Sequence, residues 1–269
     1  MLNGRQILIG LAIKFDGDWD KIYKSVFSHD LDDVTEYVEQ FNRSTCNAVT
    51  ILDVEYPQIL KQIYNPPFVL FYYGDISLAY NPSKCLSIIG SRKPSEYGIK
   101  MATKLSEDLS NNFVIVSGMA KGIDGIAHRS AIAKGHKTIA IIGSGIDHCY
   151  PTSNKDLYNE LKKNHLIMSE YFGQVTPDAE HFPLRNRIIA GLSKATLIVE
   201  AHNKSGTSIT ATYALCFSRT VLAVPARADS DSACNRLIKE GAVLVESAQD
   251  VIEELAQTAF VGKEIQENS

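Results

Sequence analysis

Four short glycine-rich segments carry residue types that could hold an anion: Gly90-Ser91-Arg92, Ser117-Gly118-Met119-Ala120-Lys121-Gly122, Gly143-Ser144-Gly145 and Lys204-Ser205-Gly206. Small residues let backbone N–H groups approach a ligand closely, and a following helix adds unpaired donors and partial positive charge at its first turn. Arg92, Lys121 and Lys204 stand among these glycines, and a guanidinium can fork onto two phosphate oxygens. Taken singly, each loop reads more readily as a tight strand-to-helix turn; three such loops with interleaved cations shift the balance toward an anion site. The two named phosphate signatures are incomplete: there is no GxxxxGK followed by Ser or Thr, and no GxGxxG followed by a ribose-binding acid.

A fifth segment, Phe182-Pro183-Leu184-Arg185-Asn186-Arg187, sets two arginines around an asparagine ahead of an apolar helical stretch. Such side chains reach phosphates or base edges, and Tyr150, Tyr171, Phe172 and Phe182 could stack on bases. The competing reading has the arginines tying down a loop and the rings filling gaps. Ser117, Asp124 and His128 supply a nucleophile, an orienter and a base, but Asp124 and His128 lie one turn apart on one expected helix. There an aspartate reads as a cap and a histidine as a packing residue. Asp147-His148-Cys149 has too few ligands for a metal. No catalytic residue, metal or cofactor is expected.

The elements that must position these segments follow from hydropathy patterning. From Pro82 onward, strand-length apolar runs (Cys85–Ile89, Phe113–Val116, Thr138–Ile142, Leu166–Met168, Leu197–Val199, Val221–Val224, Ala242–Val245) alternate with helical stretches at Glu96–Leu109, Ile123–Lys134, Ser208–Phe217 and Asn235–Glu240. This predicts an α/β fold, a doubly wound and mostly parallel sheet covered on both faces, whose ligands bind beyond the carboxyl ends of the strands. The first 80 residues read as a small helical domain with a β-prone run at Phe68–Tyr73. Residues 81–258 are expected to form the Rossmann-like domain, and 259–269 an acidic tail.

With 22% charged residues and 45% apolar ones over 269 positions, the chain has an ordinary globular composition. Its five cysteines show no CxxC spacing and read as reduced thiols. The apolar run Ile7–Ile13 is short and reads as a helix instead of a signal peptide; no run is long enough to span a bilayer, so a cytoplasmic protein with no membrane partner is expected. The net charge of −4 is uneven: residues 1–83 carry −5, 84–249 carry +5 and 250–269 carry −4. A basic middle suits an anionic ligand despite the acidic total.

The motifs together resemble the DprA/Smf family (DNA-processing protein A). The likeness rests on Gly90-Ser91-Arg92, Tyr97-Gly98, Ser117 to Asp124 (SGMAKGID), Ala127-His128, Tyr150-Pro151, Phe182 to Ser193 (FPLRNRIIAGLS), Ser205-Gly206-Thr207 and Asn235 to Ile238, over about residues 55–245. The resemblance implies an extended Rossmann fold that binds single-stranded DNA without chemical turnover and loads the RecA recombinase onto incoming strands during natural transformation. It implies a pocket lined by the Arg92 loop, the Lys121 loop and Arg185-Asn186-Arg187, and a homodimer formed around Leu237 and Ile238. The N-terminal helices resemble the sterile-alpha-motif-like unit of some members, and the chain is expected to lack the winged-helix domain of others. The sequence departs from the family's glycine preferences at His136, Ser218, Ala226 and Cys234. The alternative class is a Rossmann-like enzyme acting on nucleotides or NAD-like substrates.

Overall fold

The computed structural model describes residues 2–28, 33–203 and 205–267; Lys204 lies outside them. Three helices open the chain: α1 (Gly4–Lys14), α2 (Trp19–Ser28) and α3 (Thr35–Asn42). Asn3 starts α1 through a reciprocal capping box, its side chain accepting from Gln6 N–H while the Gln6 side chain accepts from Asn3 N–H, both at 2.9 Å. Strands β1 (Asn47–Thr50) and β2 (Val69–Gly74) follow. Then come β3 (Cys85–Ile89), α4 (Glu96–Leu109), β4 (Val114–Ser117), α5 (Ile123–Ala133), β5 (Thr138–Ile141), α6 (Lys155–Asn164), β6 (Leu166–Ser169), α7 (His181–Leu192), β7 (Ala195–Ile198), α8 (Gly206–Cys216), β8 (Thr220–Ala223), α9 (Ala233–Lys239), β9 (Val243–Leu244) and α10 (Ala248–Glu267).

All nine strands form one sheet in the order β1-β2-β6-β5-β4-β3-β7-β8-β9. Every pair from β6 to β9 is parallel; β1–β2 and β2–β6 are antiparallel. The expected α/β class is therefore present. The expected boundary near residue 80 is not a boundary in the sheet, because β1 and β2 extend it on one side. Helices α1 and α3 also share a core with the sheet: Leu11, Ile13 and Val38 pack in one cluster with Phe71, Ala140 and Ile167. The segment 259–267, expected as a tail, continues helix α10.

Burial explains why the strands read as unbroken apolar runs: β3, β5, β6 and β7 are buried at every position. Alternate residues face opposite layers, with Ile139, Ile141 and Met168 under α7 to α9, and Leu86, Ile88 and Ile115 under α4, α5 and α10. Among the described residues no helix is long and apolar enough to cross a membrane.

Candidate nucleic-acid interface

The chain leaves β3 through α4 toward β4 on one side and leaves β7 through α8 toward β8 on the other, so the strand order reverses between β3 and β7. Loops diverging at such a point leave a crevice beyond the strand ends. Here it is a cleft of about 730 Å³, a size suited to a small ligand or a few nucleotides. Ile89, Ile189 and Ile209 give it apolar walls, Arg92 and Lys93 supply exposed cations, and Ser205, Gly206 and Thr207 bring the first turn of α8.

The β3 loop is held from behind. Ser91 N–H donates to Glu200 O at 2.7 Å, Ser95 N–H donates to the Glu200 carboxylate at 3.0 Å, and Ser95 Oγ caps α4 by accepting from Gly98 N–H at 3.1 Å. Arg92 is left exposed, with its guanidinium 5.2 Å from the centre of the Phe182 ring, a cation–π contact that presents the charge at the cleft mouth. At the start of α8, the hydroxyls of Ser205 and Ser208 are buried with no hydrogen-bond partner among the described residues. The first-turn N–H groups of this eleven-residue helix therefore face a region with hydroxyls to spare.

The floor holds the most unusual pair. Arg185 is 5% exposed and Asp124 7% exposed, and both line the cleft. Arg185 Nη1 donates to Gly118 O at 2.7 Å and to Ile141 O, while Nε donates to Asn186 Oδ1 at 3.1 Å. Burial pushes the Arg185 guanidinium down to about 10, against the opposing pull of Asp124. Burial likewise raises the Asp124 carboxyl, with Arg185 opposing.

Of the residues the sequence singled out, Gly90, Ser91, Arg92, Asp124, Phe182, Arg185, Asn186, Ser205, Gly206 and Thr207 meet at this cleft. Several others are held elsewhere. Ser117 Oγ donates to Ile88 O at 2.6 Å and is fully buried, and Gly118 is covered by the Arg185 guanidinium. Lys121 is exposed outside the cleft lining. Gly122 turns the chain at φ 74° so that Ile123 N–H reaches Ser91 O at 3.1 Å. Gly143, Ser144 and Gly145 are buried: Gly145 N–H donates to Val175 O at 2.8 Å, and Ser144 Oγ donates to His148 O at 2.8 Å.

Arg187, expected beside Arg185, points away. It forms a two-pronged ion pair with Glu170 at 2.5 and 2.6 Å, donates to Asn65 O at 3.0 Å, and so ties α7 to the N-terminal segment. Burial pulls its guanidinium down, but the Glu170 charge prevails and the net shift is upward. Leu237 is core, whereas Ile238 is half-buried and lines a second depression with Asn235, Arg236 and Leu244.

Ser117, Asp124 and His128 form no nucleophile–base pair. The His128 ring is buried and engages Thr138 Oγ1 through Nδ1 at 2.7 Å, while burial pushes its pKa down to about 3. Sequence reading missed Lys93 and His202 as lining residues. It also missed Glu200 as the anchor of the Arg92 loop, although its place at the end of an apolar run was the available signal.

A twisted, mostly parallel sheet with a cation-bearing cleft at its reversal point defines a Rossmann-like α/β protein. The chain belongs to the DNA recombination-mediator protein A family, whose sequence model matches residues 47–256. It is 44% identical over 209 residues to the DNA processing protein DprA of Streptococcus pneumoniae, covering 77% of this chain and 73% of that protein. It is 40% identical over 214 residues to the Bacillus subtilis DprA, covering 78% and 72%. The X-ray structure of the Streptococcus pneumoniae DprA superposes with a TM-score of 0.76 at 37% identity, over 94% of this chain and 93% of that one. A Helicobacter pylori DNA processing protein A structure, described for its single-stranded DNA binding mode, aligns with a TM-score of 0.71 at 31% identity, over 80% of this chain and 98% of that one.

Proposed function

We propose that this chain binds single-stranded DNA across the cleft between β3 and β7 and delivers the strand to a RecA recombinase, acting as a homodimer. The carrying observation is the combination at the cleft: exposed Arg92 and Lys93, the Phe182 ring beside Arg92, and the first turn of α8. Cations and helix N–H groups suit phosphates, a ring suits bases, and a protein for single strands needs both. The Helicobacter pylori relative's single-stranded DNA binding mode supports the reading. RecA delivery and dimerisation rest on the resemblance to the family, with the depression beside Ile238 as the face for a second copy.

The test is fluorescence anisotropy of a labelled oligo-dT titrated at increasing salt, with wild type and Arg92→Ala, and unlabelled duplex as competitor. With three or four phosphates held, log K falls against log salt with a slope of about −2 to −3. Tight binding that Arg92→Ala cripples and duplex barely disturbs is the expected result. Binding indifferent to salt and to Arg92 would end the proposal.

A further inference from the structure

A strand of phosphates entering the cleft meets a carboxylate in its wall. Asp124, in the first turn of α5, is the one acidic residue lining the cleft among the described residues, and it is 7% exposed. Charged and titratable groups from three other elements surround it. From α7 comes Arg185: its Nη1 and the Asp124 Oδ2 each lie 2.6 Å from the point where a Cβ on Gly118 would stand. The loop after β3 contributes Arg92, whose charge also acts on Asp124, and Lys93. The loop after β7 contributes the exposed His202. On α5 itself, His128 is turned to Thr138 and stays out of the cleft lining.

Within the fold, burial is the largest influence on Asp124 and disfavours its charge. Arg185, the Ala120 N–H, Ser117 and Arg92 favour the charge without overcoming burial, so the carboxyl is held above its ordinary value. A bound strand moves this balance in one direction by three routes. Its phosphates engage Arg92 and offset one of the attractions that keep Asp124 ionised; they add like charge to the cleft; and the strand displaces water from around the carboxylate. We infer that a single strand entering the cleft draws one proton from solvent onto Asp124, and that this residue thereby makes strand affinity rise as pH falls. The carboxylate goes from −1 to neutral and the buffer supplies the proton; no other bond changes. Because the complex holds the proton more tightly than the free protein, tightening begins as pH falls through the titration of the complex and is complete below that of the free protein. Like charge acting through a partly desolvated cleft makes the gain about tenfold between those limits. The inference rests on the single-strand reading above.

The test is calorimetric titration of oligo-dT into the full chain between pH 8 and pH 5, in buffers of differing ionisation enthalpy, which counts the protons taken up per strand. His202 competes for the proton, since an imidazole beside a phosphate gains one too, so the series runs in His202→Gln. There the strand is expected to bring up to about one proton with it, and affinity to rise about tenfold as the pH falls. Asp124→Asn in the same background is expected to bind without proton uptake and with a flat pH profile, whatever its overall affinity. Flat affinity without uptake in His202→Gln overturns the inference, and so does uptake that survives Asp124→Asn. Infrared difference spectra of His202→Gln carrying isotopically labelled aspartate decide the matter if the Asp124 variant does not fold. A protonated-carboxyl band that grows when oligo-dA is added supports the inference, and its absence across the pH range overturns it. Absence of strand binding at every pH overturns the single-strand reading itself.

Discussion

The row of strand-end loops divides into two halves that look alike in sequence and behave differently in space. The loops after β3 and β7 present Arg92, Lys93, Ser205 and Gly206 to the cleft, whereas those after β4 and β5 bury Ser117, Gly143, Ser144 and Gly145 against protein. A Cβ at Gly145 would lie 2.3 Å from Gly173 O, while one at Gly206 would meet nothing within 4 Å. A glycine reports that something comes close; at Gly145, as at Gly90, that something is the chain itself, and at Gly206 the space is open. The two arginines of α7 repeat the lesson, Arg185 facing the cleft and Arg187 locked to Glu170.

Four experiments sharpen or break this division. The largest effect is expected from Glu170→Ala, which strands the buried Arg187 charge. Such a loss costs about 3–5 kcal/mol, read as a lower urea midpoint, while single-strand affinity of the folded fraction holds.

Second, His128 belongs to the packed half, and its pKa of about 3 in the fold lies below the ordinary 6.5. The fold favours the neutral ring, so its contribution is complete above pH 6.5 and declines as pH falls toward 3, by up to about 1.4 kcal/mol per pH unit. Urea melts of wild type and His128→Gln between pH 7 and 4 should converge as the pH drops. Curves that stay parallel would remove His128 from the acid response.

Third, Gly145→Ala is expected to cost about 1–3 kcal/mol through overpacking. Gly206→Ala should stay within about 0.5 kcal/mol in stability yet weaken DNA binding at the start of α8. Equal stability losses for the two would erase the contrast between filled and open halves.

The smallest effect is on the salt dependence. Arg92→Ala should leave the melting temperature unchanged and reduce the magnitude of the log K against log salt slope by about 0.7, one phosphate contact. An unchanged slope would move the phosphate elsewhere on the rim.

Sequence periodicity captured the parallel sheet well where chemistry is local. Helix α4 spans the expected Glu96–Leu109, because Pro94 and the capping Ser95 mark its start. Strand β3 matches at both ends, being a mostly apolar run, broken only by the small Ser87, between a breaker and a glycine. Strand β1 escaped notice because Asn47–Thr50 is four residues without alternation, defined by its antiparallel partner β2. At the site, Arg92 was legible as a cation in a small-residue loop. Arg187 was not, since its role is set by Glu170, which follows a different strand, and by Asn65, far back in the chain. Asp124 was visible as a helix-start acid, but its place on the cleft floor required α5 and α7, on opposite faces of the sheet, to bring it near Arg185 at the strand ends.

The pairing of β3 with β7 also governs the order of events in a growing chain. Leu86 lies beside Ala195 although more than a hundred residues separate them, and closing so long a loop is slow relative to local contacts. By the time Ser169 emerges from the ribosome, β3, β4, β5 and β6 can already zip together side by side. The cleft has no second wall until α7, β7 and the first turn of α8 have been made. Nascent protein thus acquires its scaffold well before its binding pocket, and a truncated product ending before α7 would carry the Arg92 loop with nothing opposite it.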